Sequence, residues 1–138
     1  MKKSIESSFT GGMSWSTNID GHEYIMDAAE EFGGSGKGAS PKPFLLMSLA
    51  GCTGMDVVSL LNKMRVDFDD LKISVDASLT DEHPKIYDTM QITYRFWGVK
   101  ESDKAKVEKA VTLSKERYCG VSAMLGKASK LTFEVVYN

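Results

Sequence analysis

The sequence predicts an α+β fold with the element order βββ–α–ββ–α–α–β. Three observations predict it. Two long alternating stretches, Leu71 to Leu79 and Ile86 to Trp97, flank a short polar turn and read as an antiparallel hairpin. Residues 43–65 are apolar around most of a helical circumference, so this helix must be covered on more than one side. The other helical segments are grouped between the hairpin and a final alternating strand, not interleaved regularly with strands.

Each element has its own local reason. Within residues 3–27, Trp15 and Thr17 alternate with Ser14 and Ser16, and His22 to Met26 forms a second short run. Gly11-Gly12 and Asn18 to Gly21 mark turns, which gives a small β-meander. Residues 28–42 crowd glycines and serines without an apolar period and read as a mobile loop. Pro43 suits a first helical turn and Ser40 lies upstream as a candidate cap. Gly51 and Gly54 sit inside the helix, where each costs about 1 kcal/mol relative to alanine, which suggests a close neighbour on that face. A second helix or a second chain would supply it. Asp67 to Asp70 is a polar stop. On the strand 86–97, Met90, Ile92, Tyr94 and Phe96 share one face. Ser102 is the candidate cap of a helix running to Tyr118. A short helix follows from Cys119 to Lys127, and Leu131, Phe133, Val135 and Tyr137 alternate in the last strand. With no repeat and no linker, residues 1–138 are expected to form a single domain.

Composition removes several function classes. Lys+Arg is 17 and Asp+Glu is 19, a net charge of 17 − 19 = −2. This lacks the basic footprint of a general nucleic-acid binder or a polybasic membrane-surface protein. No uninterrupted apolar run has the length of a membrane span, and the opening MKKSIESSFTGG has no apolar signal core. No membrane association is expected, and the expected location is the cytoplasm.

Few residues can carry chemistry. Cys52 and Cys119 are too far apart in sequence for a CxxC motif, and they are not a disulfide framework. In the helix, Cys52 reads first as a small core hydrophobe. Cys119 precedes a short helix, where free backbone N–H groups favour a thiolate. His22 and His83 bring the Cys and His count to four, but no two of these residues are closely spaced, so no metal site is expected. Gly36-Lys37 lacks both the earlier glycine (Glu31 stands there) and the Ser or Thr of a phosphate loop (Gly38 stands there). There is no G-x-S-x-G elbow. No cofactor is expected.

The two cysteine contexts carry a resemblance. Residues 40–58, SPKPFLLMSLAGCTGMDVV, resemble the first motif of the OsmC/Ohr family. Residues 118–122, YCGVS, resemble its second, where Cys-Pro-Val-Ser is common. The likeness spans essentially the whole chain and is nearest to the OsmC-like redox protein branch. It implies an intertwined homodimer, with two central buried helices wrapped by antiparallel sheets. It also implies a peroxiredoxin-like role in the oxidative stress response: a thiol peroxidase that reduces organic hydroperoxides. Cys52 would attack the hydroperoxide and become a sulfenic acid, and Cys119 would condense with it to a disulfide. An external dithiol would then reduce that disulfide. The family pattern further implies an activating Arg from the N-terminal strands and a Glu at the start of the central helix. Here no Arg precedes Arg65, and Lys42 and Pro43 stand where the Glu is expected. Lys37, Lys42 and Arg117 are the remaining candidate cations, while Asp56 lies one turn beyond Cys52. Two functions are therefore expected in competition: the hydroperoxide reductase, and a non-catalytic stress-response domain that holds a small apolar ligand.

Overall fold

The computed structural model describes residues 1–138. The chain divides into two compact units, residues 1–45 and residues 46–138.

The first unit is the expected meander. Strands β1 (Ser7–Phe9), β2 (Trp15–Ile19) and β3 (His22–Met26) pair antiparallel in that order, with Trp15 opposite Met26. Its buried residues, Ser14, Thr17 and Asp27, are all polar. Phe9 and Phe32 are 60% and 70% exposed, so the unit has no apolar core of its own. The segment read as a mobile loop folds around Asp27. The Asp27 carboxylate accepts from the N–H groups of Ala28 (2.7 Å), Lys37 (3.0 Å) and Ser35 (3.3 Å). The Asp27 N–H donates to the Ala39 carbonyl at 3.1 Å. These bonds, the one from Lys37 foremost, hold the Asp27 carboxyl below its ordinary value. The glycines serve this course. A Cβ at Gly34 would lie 1.8 Å from the Ala28 carbonyl oxygen, so only glycine fits there.

In the second unit, β4 (Asp70–Leu79), β5 (Tyr87–Trp97) and β6 (Lys130–Tyr137) form one sheet in that order. β4 and β5 are the expected hairpin, with Ile73 opposite Tyr94. Met90, Ile92, Tyr94 and Phe96 are buried, as their shared face predicts. The expectation of antiparallel sheets needs correction here, because β6 runs parallel to β5. Parallel neighbours require a crossover, and residues 98–129, which carry the last helices, provide it. That crossover begins with a 3₁₀ turn (Glu101–Asp103), so Ser102 is not the cap, and Asp103 precedes α2 (Lys104–Leu113). A π-helical turn (Ser114–Tyr118) then leads to α3 (Gly120–Leu125).

Helix α1 (Pro43–Lys63) packs on this sheet through a stripe at every fourth residue: Leu49, Thr53, Val57 and Leu61 are fully buried. The expectation of cover on most sides is not met within the chain. Met47 and Met55 are 56% and 76% exposed. With Phe68, Leu71 and Ile73 they line an apolar groove of about 930 Å³. The physical reason is that a three-stranded sheet covers one face of a helix. By length and composition α1 is also long and apolar enough to cross a membrane, unlike the sequence expectation, but its buried stripe belongs to the sheet core.

Candidate functional site

The two cysteines meet beneath α1. Cys52 stands half-buried on α1, one residue before the stripe residue Thr53, and Asp56 follows it by one turn on the same side. Cys119 is buried, at the junction of the π turn and α3. The Cys52 and Cys119 sulfurs and an Asp56 carboxylate oxygen all lie within 4.8 Å of one another. Both cysteines are free thiols. As expected from its position, Cys119 caps α3, and its sulfur accepts the Ser122 N–H at 3.3 Å. Ser122 returns its hydroxyl to the Cys119 carbonyl at 2.9 Å.

A buried chain of hydroxyls lies under this pair. Tyr94 from β5, Thr53 from α1 and Ser114 from the π turn are all fully buried. Ser114 Oγ donates to Asp56 Oδ2 at 3.2 Å. Ser114 has a single hydroxyl proton, so Thr53 must donate to Ser114 across their 2.9 Å contact. Tyr94 must then donate to Thr53 across theirs, at 2.5 Å. The order Tyr94→Thr53→Ser114→Asp56 therefore has one direction and ends on a carboxylate. Burial pushes the Tyr94 phenol up to about 12, and the nearby Cys119 and Asp56 push the same way. Ser114 also fixes Cys119, whose N–H donates to the Ser114 carbonyl at 2.8 Å. That bond spans five residues, the π spacing, which is why the helix widens at this point.

Burial is the foremost influence on the Cys52 thiol and pushes it up. Cys119 and Asp56 act in the same direction, while the Val121 N–H pulls the thiol down. The ionisable groups beside the sulfur are thus acidic. Of the candidate cations, Lys37 acts on Asp27, and Arg117 is exposed on the π turn. His22 and His83 are exposed as well.

Residues 34–134 match a family model described as OsmC-like protein. The chain belongs to the OsmC-like protein family. It is 37% identical over 122 residues to Protein YhfA of Escherichia coli K12, covering 86% of this chain and 87% of that one. A crystal structure of a protein of Aquifex aeolicus VF5, described as hypothetical, superposes with a TM-score of 0.85 at 30% identity. That match covers 100% of this chain and 97% of the other. A Legionella pneumophila protein described as organic hydroperoxide resistance protein OsmC, a predicted redox protein and regulator of sulfide bond formation, superposes with a TM-score of 0.67 at 17% identity. It covers 97% of each chain and shares the fold. The OsmC-like α+β expectation of the sequence is met.

Sequence reasoning picked out both cysteines and Asp56 but passed over Thr53, Tyr94 and Ser114. A signal was available for two of them. Tyr94 is the one hydroxyl on an apolar strand face, and a buried tyrosine hydroxyl needs a partner. Thr53 likewise interrupts an apolar stripe. Ser114 carried no such mark.

Proposed function

We propose that this chain is a thiol peroxidase that reduces organic hydroperoxides, with Cys52 as the attacking thiol and Cys119 as the resolving one. The observation that carries the reading is the approach of the two sulfurs to within 4.8 Å from positions far apart in sequence. Disulfide formation requires the two sulfurs to close from this separation to about 2.05 Å, with Cα atoms within about 7 Å. The description of the Legionella relative supports the same chemistry.

In the first step the Cys52 thiolate attacks the outer peroxide oxygen and the O–O bond breaks. Cys52 becomes a sulfenic acid, and the leaving alkoxide takes up a proton to become an alcohol. In the second step Cys119 attacks the sulfenic sulfur, an S–S bond forms and water leaves. A small external dithiol then returns both cysteines to thiols and is itself oxidised to a disulfide. The Val121 N–H supports the attacking thiolate. Burial and the acidic neighbours oppose it, so turnover is expected to rise with pH.

The reading includes a homodimer. A second copy laid on the groove beside α1 would cover Met47 and Met55. The setting is a reducing cytoplasm, which keeps both thiols free between turnovers.

The test uses cumene hydroperoxide with a dithiol reductant. Cys52→Ser abolishes turnover, and Cys119→Ser accumulates a sulfenic acid at Cys52, trapped by dimedone and located by mass spectrometry. Cys52 unmodified by peroxide in both wild type and Cys119→Ser would leave the ligand-binding alternative.

A further inference from the structure

Cys52, Cys119 and Asp56 present two sulfurs and one carboxylate oxygen to a common point, all within 4.8 Å of one another. In a tetrahedral zinc site, with bonds of about 2.3 Å to sulfur and about 2.0–2.2 Å to oxygen, the ligand atoms stand roughly 3.5–3.8 Å apart. Side-chain rotations that close the cluster by about 1 Å reach that geometry. Cys52 and Asp56 are one helical turn apart on α1, and the fold brings the distant Cys119 to them.

The cluster is held for such a purpose at more than one point. Ser114 donates to Asp56 Oδ2 and so orients the carboxylate, the arrangement that metal-ligating carboxylates ordinarily have. The Ser114 carbonyl fixes the Cys119 backbone, so one residue positions two of the three donors. Behind it the buried hydroxyls of Thr53 and Tyr94 complete the support. Cys52 and Asp56 are half-buried, which leaves a path from solvent.

We infer that the reduced protein binds one thiophilic divalent cation of the zinc class at Cys52, Cys119 and Asp56. Two soft sulfurs with one oxygen disfavour magnesium and calcium, which take oxygen ligands. Three protein ligands leave a fourth position for water, the pattern of an exchangeable ion. Binding releases the two thiol protons and moves no electrons. The metal-bound sulfurs are then withheld from oxidation and alkylation. This inference does not depend on the peroxidase reading, since binding is measured without hydroperoxide.

The test is titration of the reduced, chelator-treated protein with Co²⁺ and with Zn²⁺. The expected result is one ion per chain, a thiolate-to-cobalt charge-transfer absorption, and displacement of Co²⁺ by Zn²⁺. Zn²⁺ should slow alkylation of both cysteines together. Protein oxidised beforehand should bind none. Ser114→Ala, which keeps all three ligands, should weaken binding about 10–100-fold. Absence of the charge-transfer absorption in the wild-type protein overturns the inference. So does Co²⁺ affinity unchanged in a folded Asp56→Asn variant.

Discussion

Replacing Thr53 with valine tests the buried hydroxyl chain at its centre. The two side chains have nearly the same shape, so the change removes a hydroxyl and little volume. Thr53 is fully buried, accepts from Tyr94 at 2.5 Å and donates to Ser114 at 2.9 Å. In Thr53→Val the Ser114 proton still reaches Asp56, but the buried Tyr94 hydroxyl has lost its acceptor. A buried donor left without a partner costs about 1–3 kcal/mol. For a chain of this size each kcal/mol lowers Tm by roughly 3–5 °C, so the expected loss is about 3–15 °C. Urea denaturation at fixed protein concentration reads the same change as a fall in midpoint with an unchanged m-value. Tyr94→Phe should cost less, because it removes the donor and leaves Thr53 still donating to Ser114. Adding Tyr94→Phe to Thr53→Val should then recover part of the loss, with a coupling of about 0.5–3 kcal/mol. A Thr53→Val variant within about 0.5 kcal/mol of wild type, or strict additivity of the pair, would refute the directed chain.

Three further outcomes follow from the same structure. Gly54→Leu should lower stability by about 1–3 kcal/mol or more in urea denaturation, because even a Cβ added there would lie 3.1 Å from Ile73 Cδ1. Asp27 has its carboxyl lowered by folding, so it adds stability above the ordinary carboxylate range, and that contribution fades as pH falls towards its folded value. Acid titration of Asp27→Asn should therefore show less stability at neutral pH and a flatter acid limb than wild type. In the metal-free protein, the rate of Cys52 alkylation should rise with pH around a midpoint above the ordinary thiol value, and Asp56→Asn should move that midpoint down, since it removes one of the raising charges.

The order of elements was legible because strict alternation at Leu71 to Leu79 and along Met90 to Phe96 leaves little freedom in which face is buried. The parallel pairing of β6 was missed, because no local pattern states the direction in which a strand returns after a helical crossover. The loop around Asp27 escaped for a different reason. Its glycines read as freedom, whereas Gly34 is needed because the Ala28 carbonyl leaves no room for a side chain. At the candidate site, Cys119 at the start of α3 was readable from its neighbours. The hydroxyl chain was not, because Thr53, Tyr94 and Ser114 come from three separate elements and meet only through tertiary packing. The apolar circumference of α1 suggested cover on most sides, and one chain covers it on one face only.

The central claim is that Cys52 and Cys119 act as one redox pair, and counting thiols under stoichiometric oxidation tests it most directly. Fully reduced, metal-free protein is mixed anaerobically with one equivalent of cumene hydroperoxide per chain, quenched by alkylation and mapped by mass spectrometry. The account predicts loss of both thiols together, a single Cys52–Cys119 disulfide and one equivalent of the alcohol. Two intact, alkylatable thiols after prolonged exposure to excess hydroperoxide would contradict it.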